Sequence, residues 1–452
     1  MASAKLTRTL SGNGNQNTAT WSFWVKRSGL TDTRMYASWY DGNNQFWIMF
    51  SDNKFNVKLY QSSSYSVSVE TNRLFRDTSA WYHIVVAIDT TQGTASDRVK
   101  IYVNGSQETD LGSTTYPSQN QSMPFGLATY NQRIGFRDAE EYLDGSISHY
   151  HFIDGTAYTP STFGETDSTS GIWKPKTNPS VTYGTNGFFL KFENSGAMGT
   201  DSSGNSNTWT VGGTLTQNVD TPSNNFATFN PFYSIEYNSS LFFTNGNTTV
   251  NLNTAAWNTI PCTMELSSGK WYFEGYGHTN SSNYIHYGIT SSAKMNANRT
   301  QPESEIQANA NGYAYGYYGS NGQMYYSTTS ASTTTSYGNS YTSSDYIGIF
   351  MDLDNNKLYF AKNGTLQNSG TGFDIGADGK PYLPCISLYN GATNVNFGSG
   401  VFGTTALTGT TYTDANGEGT FKYSPNQGGA SNFDSSAKNF YALNTKNIKE
   451  FG

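Results

Sequence analysis

Two alternating apolar runs joined by a tight polar turn constrain this chain more than any other stretch. The segment Asp345-Tyr-Ile-Gly-Ile-Phe-Met-Asp-Leu-Asp-Asn-Asn-Lys-Leu-Tyr-Phe-Ala-Lys-Asn-Gly364 puts Ile347, Ile349, Met351 and Leu353 on one face. Leu358 and Phe360 share a face after the turn. Period-two alternation on both sides of Asp-Asn-Asn predicts an antiparallel hairpin with one face on a core.

The same grammar opens the chain. Trp21, Phe23 and Val25 alternate with Ser22, Trp24 and Lys26, and Phe55, Val57 and Leu59 alternate with Asn56, Lys58 and Tyr60. Trp81-Tyr-His-Ile-Val-Val-Ala-Ile-Asp89 is nearly continuous in apolar residues, which suits a strand buried on both faces. Arg98-Val-Lys-Ile-Tyr-Val-Asn-Gly105 ends in Asn104-Gly105, a pair that readily takes the positive φ angles of a two-residue hairpin turn.

With 452 residues the chain exceeds what one core usually organises. Only 13% of residues are charged, yet 15% are aromatic and the net charge is -7. Disordered chains combine high net charge with few aromatics, so this composition favours folding. No run of Lys and Arg occurs, which argues against a nucleic-acid partner, since phosphate binding needs clustered cations. Met1-Ala-Ser-Ala-Lys-Leu lacks an apolar leader core, and no stretch reaches the ~18 apolar residues of a membrane span. Synthesis in the cytoplasm and no membrane insertion are the expectations. Cys262 and Cys385 are the only thiols; two lone cysteines in so long a chain read as buried small hydrophobes more readily than as a disulfide, although a bridge across a sandwich stays open.

Family resemblances follow from these motifs. The hairpin at 345–364, Gly269-Lys-Trp-Tyr-Phe-Glu-Gly-Tyr before it, and Tyr382-Leu-Pro-Cys-Ile-Ser-Leu-Tyr-Asn-Gly with Asn394-Val-Asn-Phe-Gly398 after it resemble, in that order, the SPRY domain. The resemblance implies a bent β-sandwich over residues 231–400 that binds a partner through its loops and has no catalytic centre. Trp-Ser-Phe-Trp-Val-Lys-Arg27, Trp-Tyr-His-Ile-Val-Val86, Val-Lys-Ile-Tyr-Val-Asn-Gly105 and Leu-Asp-Gly-Ser-Ile-Ser148 resemble the concanavalin A-like, laminin-G type of jelly roll over residues 1–165. Between them, residues 166–230 hold one strand at Gly187-Phe-Phe-Leu-Lys-Phe192 and the polar run Asp201-Ser-Ser-Gly-Asn-Ser-Asn-Thr-Trp209. They are too long for a bare loop and too polar for a core of their own, so they are read as a connector adding strands to the first sandwich. Residues 401–452 are read as a Gly- and Thr-rich C-terminal tail. The expected fold is all-β, two tandem antiparallel sandwiches. The whole arrangement, with Thr-Pro-Ser-Asn-Asn-Phe-Ala-Thr228 and Tyr-Ala-Leu-Asn-Thr-Lys-Asn447, resembles virion proteins of tailed bacteriophages of marine bacteria.

That resemblance implies a non-enzymatic structural protein of the virion, on a tail fibre or similar appendage, with lectin-like recognition of host glycans. Other virion proteins and further copies of itself would be its partners. A capsid decoration or connector protein is the alternative, and a polysaccharide depolymerase a third reading. Glucanases of the concanavalin A-like class need opposed carboxylates, about 5–5.5 Å apart in retaining enzymes. The nearest pairs are Glu303-Ser-Glu305, in a Gln/Asn-rich loop, and Asp352-Leu-Asp354, which leads into the hairpin turn, so no catalytic residue is assigned. His149 and His151 would share a strand face but lack an evident third metal ligand, and read as histidines on a wet or interfacial face. No cofactor is expected. Calcium would call on loop acids such as Asp41, Asp97 and Asp138, which nothing in the sequence brings together. Aromatic display is the remaining signal. Trp39, Tyr40, Phe46 and Trp47 flank Asp41-Gly-Asn43-Asn, and Tyr315, Tyr317, Tyr318 and Tyr325 crowd one Gly-interrupted stretch; rings beside neutral amides and hydroxyls suit sugar contact.

Overall fold

The computed structural model describes residues 4–137, 141–168, 171–233, 240–297, 306–308, 312–376, 381–426 and 439–452. The chain forms two compact units, Met1–Gln217 with Thr221–Ser223, and Asn218–Asp220 with Asn224–Gly452. Both are antiparallel β-sandwich structures, as the alternation predicted. Among the described residues no helix is long and apolar enough to cross a membrane.

In the first unit the strands are β1 (Lys5–Arg8), β2 (Thr18–Arg27), β3 (Thr33–Asp41), β4 (Asn44–Ser51), β5 (Lys54–Gln61), β6 (Ser64–Thr71), β7 (Trp81–Asp89), β8 (Val99–Val103), β9 (Ser106–Gln107), β10 (Leu111–Thr115), β11 (Asn131–Ile134), β12 (Gly145–Asp154), β13 (Gly164–Thr166), β14 (Trp173–Pro175), β15 (Phe188–Leu190) and β16 (Thr210–Gly212). They build an eight-stranded sheet, β10-β6-β5-β4-β3-β11-β1-β16, and a six-stranded sheet, β15-β12-β2-β7-β8-β9. The inward residues of β2, β4, β5 and β7 fill the space between the sheets. Trp21 lies at its centre, with ring centroids 5.1 Å from Tyr36 and 4.9 Å from Phe152. The turn after β8 has Asn104 and Gly105 at φ 48° and 86°, the left-handed geometry expected there.

Residues 166–212 give one strand to each sheet, β15 beside β12 and β16 beside β1. The polar run between them is wound on one carboxylate. Asp201 accepts the backbone N–H of Phe189 (2.9 Å), Ser203 (2.8 Å) and Asn207 (2.7 Å), and the Asn205 and Asn207 amides donate to the Gly187 carbonyl. Backbone groups that have no ladder partner are thus satisfied by side chains. Trp209 then drops into the core.

The second unit contains β17 (Leu241–Thr244), β18 (Thr249–Pro261), β19 (Lys270–Tyr276), β20 (Ile285–Ser291), α1 (Ser292–Ala297), β21 (Ala314–Tyr318), β22 (Gln323–Ser327), β23 (Ser332–Ser336), β24 (Ile347–Asp352), β25 (Lys357–Lys362), β26 (Thr365–Leu366), β27 (Phe373–Asp374), β28 (Tyr382–Asn396), β29 (Val401–Phe402), β30 (Thr405–Ala406), β31 (Tyr441–Ala442) and α2 (Thr445–Phe451). The hairpin read first from the sequence is β24–β25, paired from Ile347↔Lys362 to Asp352↔Lys357, with Ile347, Ile349, Met351, Leu358 and Phe360 in the core. Asp352 accepts from the Asn355 N–H (3.1 Å) and from Lys270 Nζ (2.8 Å), and Asp354 accepts the Gly269 N–H at 2.7 Å. Both acids therefore serve the turn and the strand beside it.

Residues 401–452 are more than a trailing tail. Phe421, Phe440 and Ala442 pack on Tyr272, Phe350 and Tyr359 as a second apolar cluster, and β31 runs parallel to β19. The Leu443 carbonyl accepts the Ala227 N–H, and Asn444 caps α2 by accepting the Asn447 N–H at 2.9 Å. Sequence reading missed this cover because its apolar residues are spread among Gly and Thr without a period.

Cys262 and Cys385 are free and buried. Pro261 is the residue opposite Cys385, so the two thiols are offset by one position and point to opposite faces of the sheet. Cys262 lies in the main core, and Cys385 packs with Ile306 and Ala314. Burial pushes the Cys262 thiol up to about 12 and raises Cys385 as well. Iodoacetamide should therefore label neither thiol in the native protein and both after denaturation. Mass spectrometry showing native labelling, or a disulfide-linked peptide, would contradict this arrangement.

Candidate functional site

The predicted aromatic residues divide between the two units. In the first, the β3–β4 turn is held by Asp41, which accepts the Asn43 N–H (2.7 Å) and the Asn44 amide (3.0 Å). This leaves the Asn43 side chain exposed at the tip. Alternation along β3 points Trp39 to the outer face of the eight-stranded sheet, half-buried, while Tyr40 is 58% exposed and its ring lies 5.3 Å from Tyr130.

A row of rings and guanidinium groups crosses the outer face of five adjoining strands, β11, β3, β4, β5 and β6. Arg133 on β11 lies 4.6 Å from the Trp39 ring. Arg137 is 5.9 Å from Trp39 and 5.4 Å from Trp47, and Arg34 is 5.0 Å from Trp47. Tyr60 stacks on Trp47 at 6.2 Å and meets Tyr65 at 5.1 Å. Glu141 forms ion pairs with Arg34 at 3.0 Å and Arg137 at 3.5 Å. Each cation–π contact adds a modest stabilisation that grows as the pair is desolvated.

This geometry corrects one expectation. Trp47 is only 4% exposed, because arginines close over it, so it supports the row from beneath. Phe46 points the other way, into the core against Trp21. Trp39, Tyr40 and Asn43 remain together at the accessible end, joined by Tyr130, Arg133 and Arg137, while Tyr65 lies at the other end of the row, three strands from β3. Sequence reading missed these three because they lie on or beside β11, which only sheet order brings against β3.

In the second unit the tyrosine stretch splits by strand parity. Tyr315 and Tyr317 point inward, and their hydroxyls bond the Gly376 N–H (2.7 Å) and the Asn339 carbonyl. Fully packed rings present no face to a ligand, so these two are core residues, contrary to the sequence expectation. Tyr318 and Tyr325 point outward. Tyr318 is mostly covered, stacked on His286 at 4.4 Å, and Tyr325 is half-buried with its centroid 4.7 Å from Tyr318.

Of the acids considered for metal binding, Asp41 and Asp97 are not brought together. Asp41 is committed to its own turn, and Asp97 pairs with Lys100 at 3.0 Å in the loop between β7 and β8 of the other sheet. Asp138, like Glu303 and Glu305, lies outside the described residues. Among the described residues no three His, Cys, Asp or Glu side chains are grouped to hold a metal ion.

His149 and His151 both lie near Phe189, and of the wet or interfacial face expected for them the structure has the interfacial one, with His149 half-buried and His151 covered. A bulge between Ser148 and His151 gives His149 a φ of 47°, and His151 lies under the segment leading to β15. Its ring stacks on Phe189 at 3.9 Å and its Nδ1 bonds the Tyr183 hydroxyl at 3.0 Å. Beside it, His83 sits between Trp24 (4.7 Å) and Trp173 (5.9 Å).

Comparison with known proteins agrees with this division. The model of the concanavalin A-like lectin/glucanases superfamily matches residues 3–162, and that of the SPRY domain matches residues 270–400. No curated protein matches the chain. Among solved structures, the SPRY domain of human HERC1 is similar at 16% identity over 37% of this chain and 96% of that one, with a TM-score of 0.29. The TRIM65 PSpry domain is similar at 16% identity over 37% of this chain and 88% of that one, with a TM-score of 0.27. Domain 4 of AbnA, a GH43 extracellular arabinanase from Geobacillus stearothermophilus solved with arabinotriose, is similar at 21% identity over 32% of this chain and 65% of that one, with a TM-score of 0.25. The chain thus carries a concanavalin A-like domain followed by a SPRY domain.

Proposed function

We propose that this protein is a non-enzymatic structural component of a tailed-phage virion, carried on a tail fibre or similar appendage, that recognises host-surface glycans through the accessible end of its first unit. The observation that carries the binding reading is the group formed by exposed Tyr40, half-buried Trp39 and exposed Asn43 at the β3–β4 end of a concanavalin A-like domain. Rings offer flat apolar faces for the C–H face of a pyranose, and the Asn amides and arginine donors supply directional hydrogen bonds to hydroxyls. The virion setting is supported by the whole-chain sequence resemblance alone. In this reading the partners are neighbouring virion subunits and further copies of the chain, no cofactor takes part, and the bound polysaccharide is released unaltered.

The test has two parts. Antibody against the chain should label tails of intact virions by electron microscopy, and the purified protein should be retained on host polysaccharide. Trp39→Ala and Tyr40→Ala should each cost about 1–2 kcal/mol in binding, a loss of tenfold or so, with little change in melting temperature. Label confined to the capsid, with no retention on polysaccharide, would favour a decoration protein. Shortened polysaccharide after incubation would favour a depolymerase.

A further inference from the structure

A second aromatic platform lies on the outer face of the second unit, built by a distortion in its two longest strands. Between Leu252↔Gly391 and Trp257↔Tyr389, residues 253–256 of β18 face the single residue Asn390 of β28. Asn390 and Gly391 take φ angles of 55° and 104° there, and a side chain at Gly391 would approach Thr279 Oγ1 at 2.9 Å. A bulge of this kind re-aims a side chain. Here it sets Trp257, half-buried, against Tyr389 at 5.6 Å, His286 at 5.0 Å, Tyr318 at 6.1 Å and Tyr284 at 6.3 Å. Tyr284 is 37% exposed at the rim.

The segments around the platform are tied by hydrogen bonds and carry no charged side chain. Asn280 Oδ1 accepts the N–H groups of Ser282 and Tyr284, both at 3.0 Å, while its amide donates to the Asn390 carbonyl at 3.0 Å. The segments 253–257, 279–284, 319–322 and 389–391 contain no Asp, Glu, Lys or Arg. Their exposed side chains include Asn253, Ser281, Ser282, Asn321 and Asn390. Among the described residues of these segments a phosphate, an acidic sugar or a nucleic acid would find no Lys or Arg, and a basic peptide no carboxylate.

We infer that this platform is a binding site for a neutral saccharide ring, stacked on Trp257 and hydrogen-bonded by the surrounding amides and hydroxyls. Prebuilt loops lower the ordering cost that otherwise weakens small-ligand binding. The inference shares with the proposed function only the premise that the chain binds glycans. It does not depend on the site around Trp39.

The experiment titrates the full-length protein with neutral oligosaccharides (maltohexaose, cellohexaose, chitotetraose and a mannan-derived hexasaccharide) and with acidic oligogalacturonate. Tryptophan fluorescence and saturation-transfer NMR serve as readouts. At least one neutral probe should bind, Trp257→Ala should weaken it by about tenfold or more, and Trp257→Phe should retain most of the affinity. In a Trp39→Ala background the loss caused by Trp257→Ala should persist, which separates the two sites. If Trp257→Ala fails to fold, the rim variant Tyr284→Ala carries the same expectation. The inference is overturned if no neutral probe binds below about 10 mM, if only oligogalacturonate or a protein partner binds, or if binding persists unchanged in the variants.

Discussion

Glu274→Ala should cost the second unit about 3–5 kcal/mol, because it strands several buried donors at once. The Glu274 carboxylate is fully buried and accepts four hydrogen bonds: the backbone N–H groups of Lys422 (2.9 Å) and Tyr423 (2.8 Å), the Tyr272 hydroxyl (3.0 Å) and the Asn396 amide (3.3 Å). Two of these donors belong to the segment after β30, so one side chain on β19 fastens the C-terminal cover to the sheet. In Glu274→Ala, amide hydrogen exchange should accelerate first at residues 420–424 and 440–443, ahead of the β24–β25 hairpin. A melting temperature unchanged within about 2 °C would refute this role.

The same carboxylate sets a pH dependence. Burial pushes Glu274 up from 4.5 to about 7, against the hydrogen bonds that hold it down. The folded state therefore holds this proton more tightly than the unfolded chain. Its contribution is fully present below pH 4.5 and is lost as pH rises through about 7. Glu274→Gln cannot ionise and should remove that slope from the unfolding curve of this unit.

What could be read from the sequence was whatever depends on neighbours along the chain. The β24–β25 hairpin, the inward alternation of β2 and β5, and the Asn104-Gly105 turn are local patterns, and all three have the expected geometry. The site was legible only in part. Trp39, Tyr40 and Asn43 share one hairpin and stay together. Arg133, Arg137 and Tyr130 join them only because β11 pairs with β3, a long-range contact with no local signature. The error on Tyr315 and Tyr317 has a simple cause. Alternation along β21 was already in the sequence, but which half of the rings faces inward is fixed by the pairing of β21 with β20 and β22. Trp257 was missed for the converse reason, since the bulge that turns it outward depends on the register between β18 and β28.

Acid should destabilise the first unit by a route fixed by hydrogen-bond chemistry. The Trp173 indole N–H can only donate, and it donates to His83 Nδ1 at 2.9 Å. His83 must then carry its proton on Nε2, facing the Ser22 hydroxyl at 2.9 Å. A second proton on Nδ1 would point at the indole N–H and break the contact that seats β14 on the sheet. Burial, reinforced by the nearby His149, pushes His83 down from 6.5 to about 3, and burial holds His151 well below the usual histidine range as well. The sign is opposite to that of Glu274. Because the unfolded chain binds these protons first, stability is full above pH 6.5 and falls as pH drops toward the folded values. His83 alone accounts for a loss on the order of 4 kcal/mol across that window. Tryptophan fluorescence should report this transition on acidification, and His83→Gln, which can accept from Trp173 without titrating, should flatten it. Nitrogen-15 NMR of His83 at pH 6 should show the neutral tautomer protonated at Nε2. An imidazolium signal there would overturn the account, since a charged ring cannot accept the Trp173 hydrogen bond.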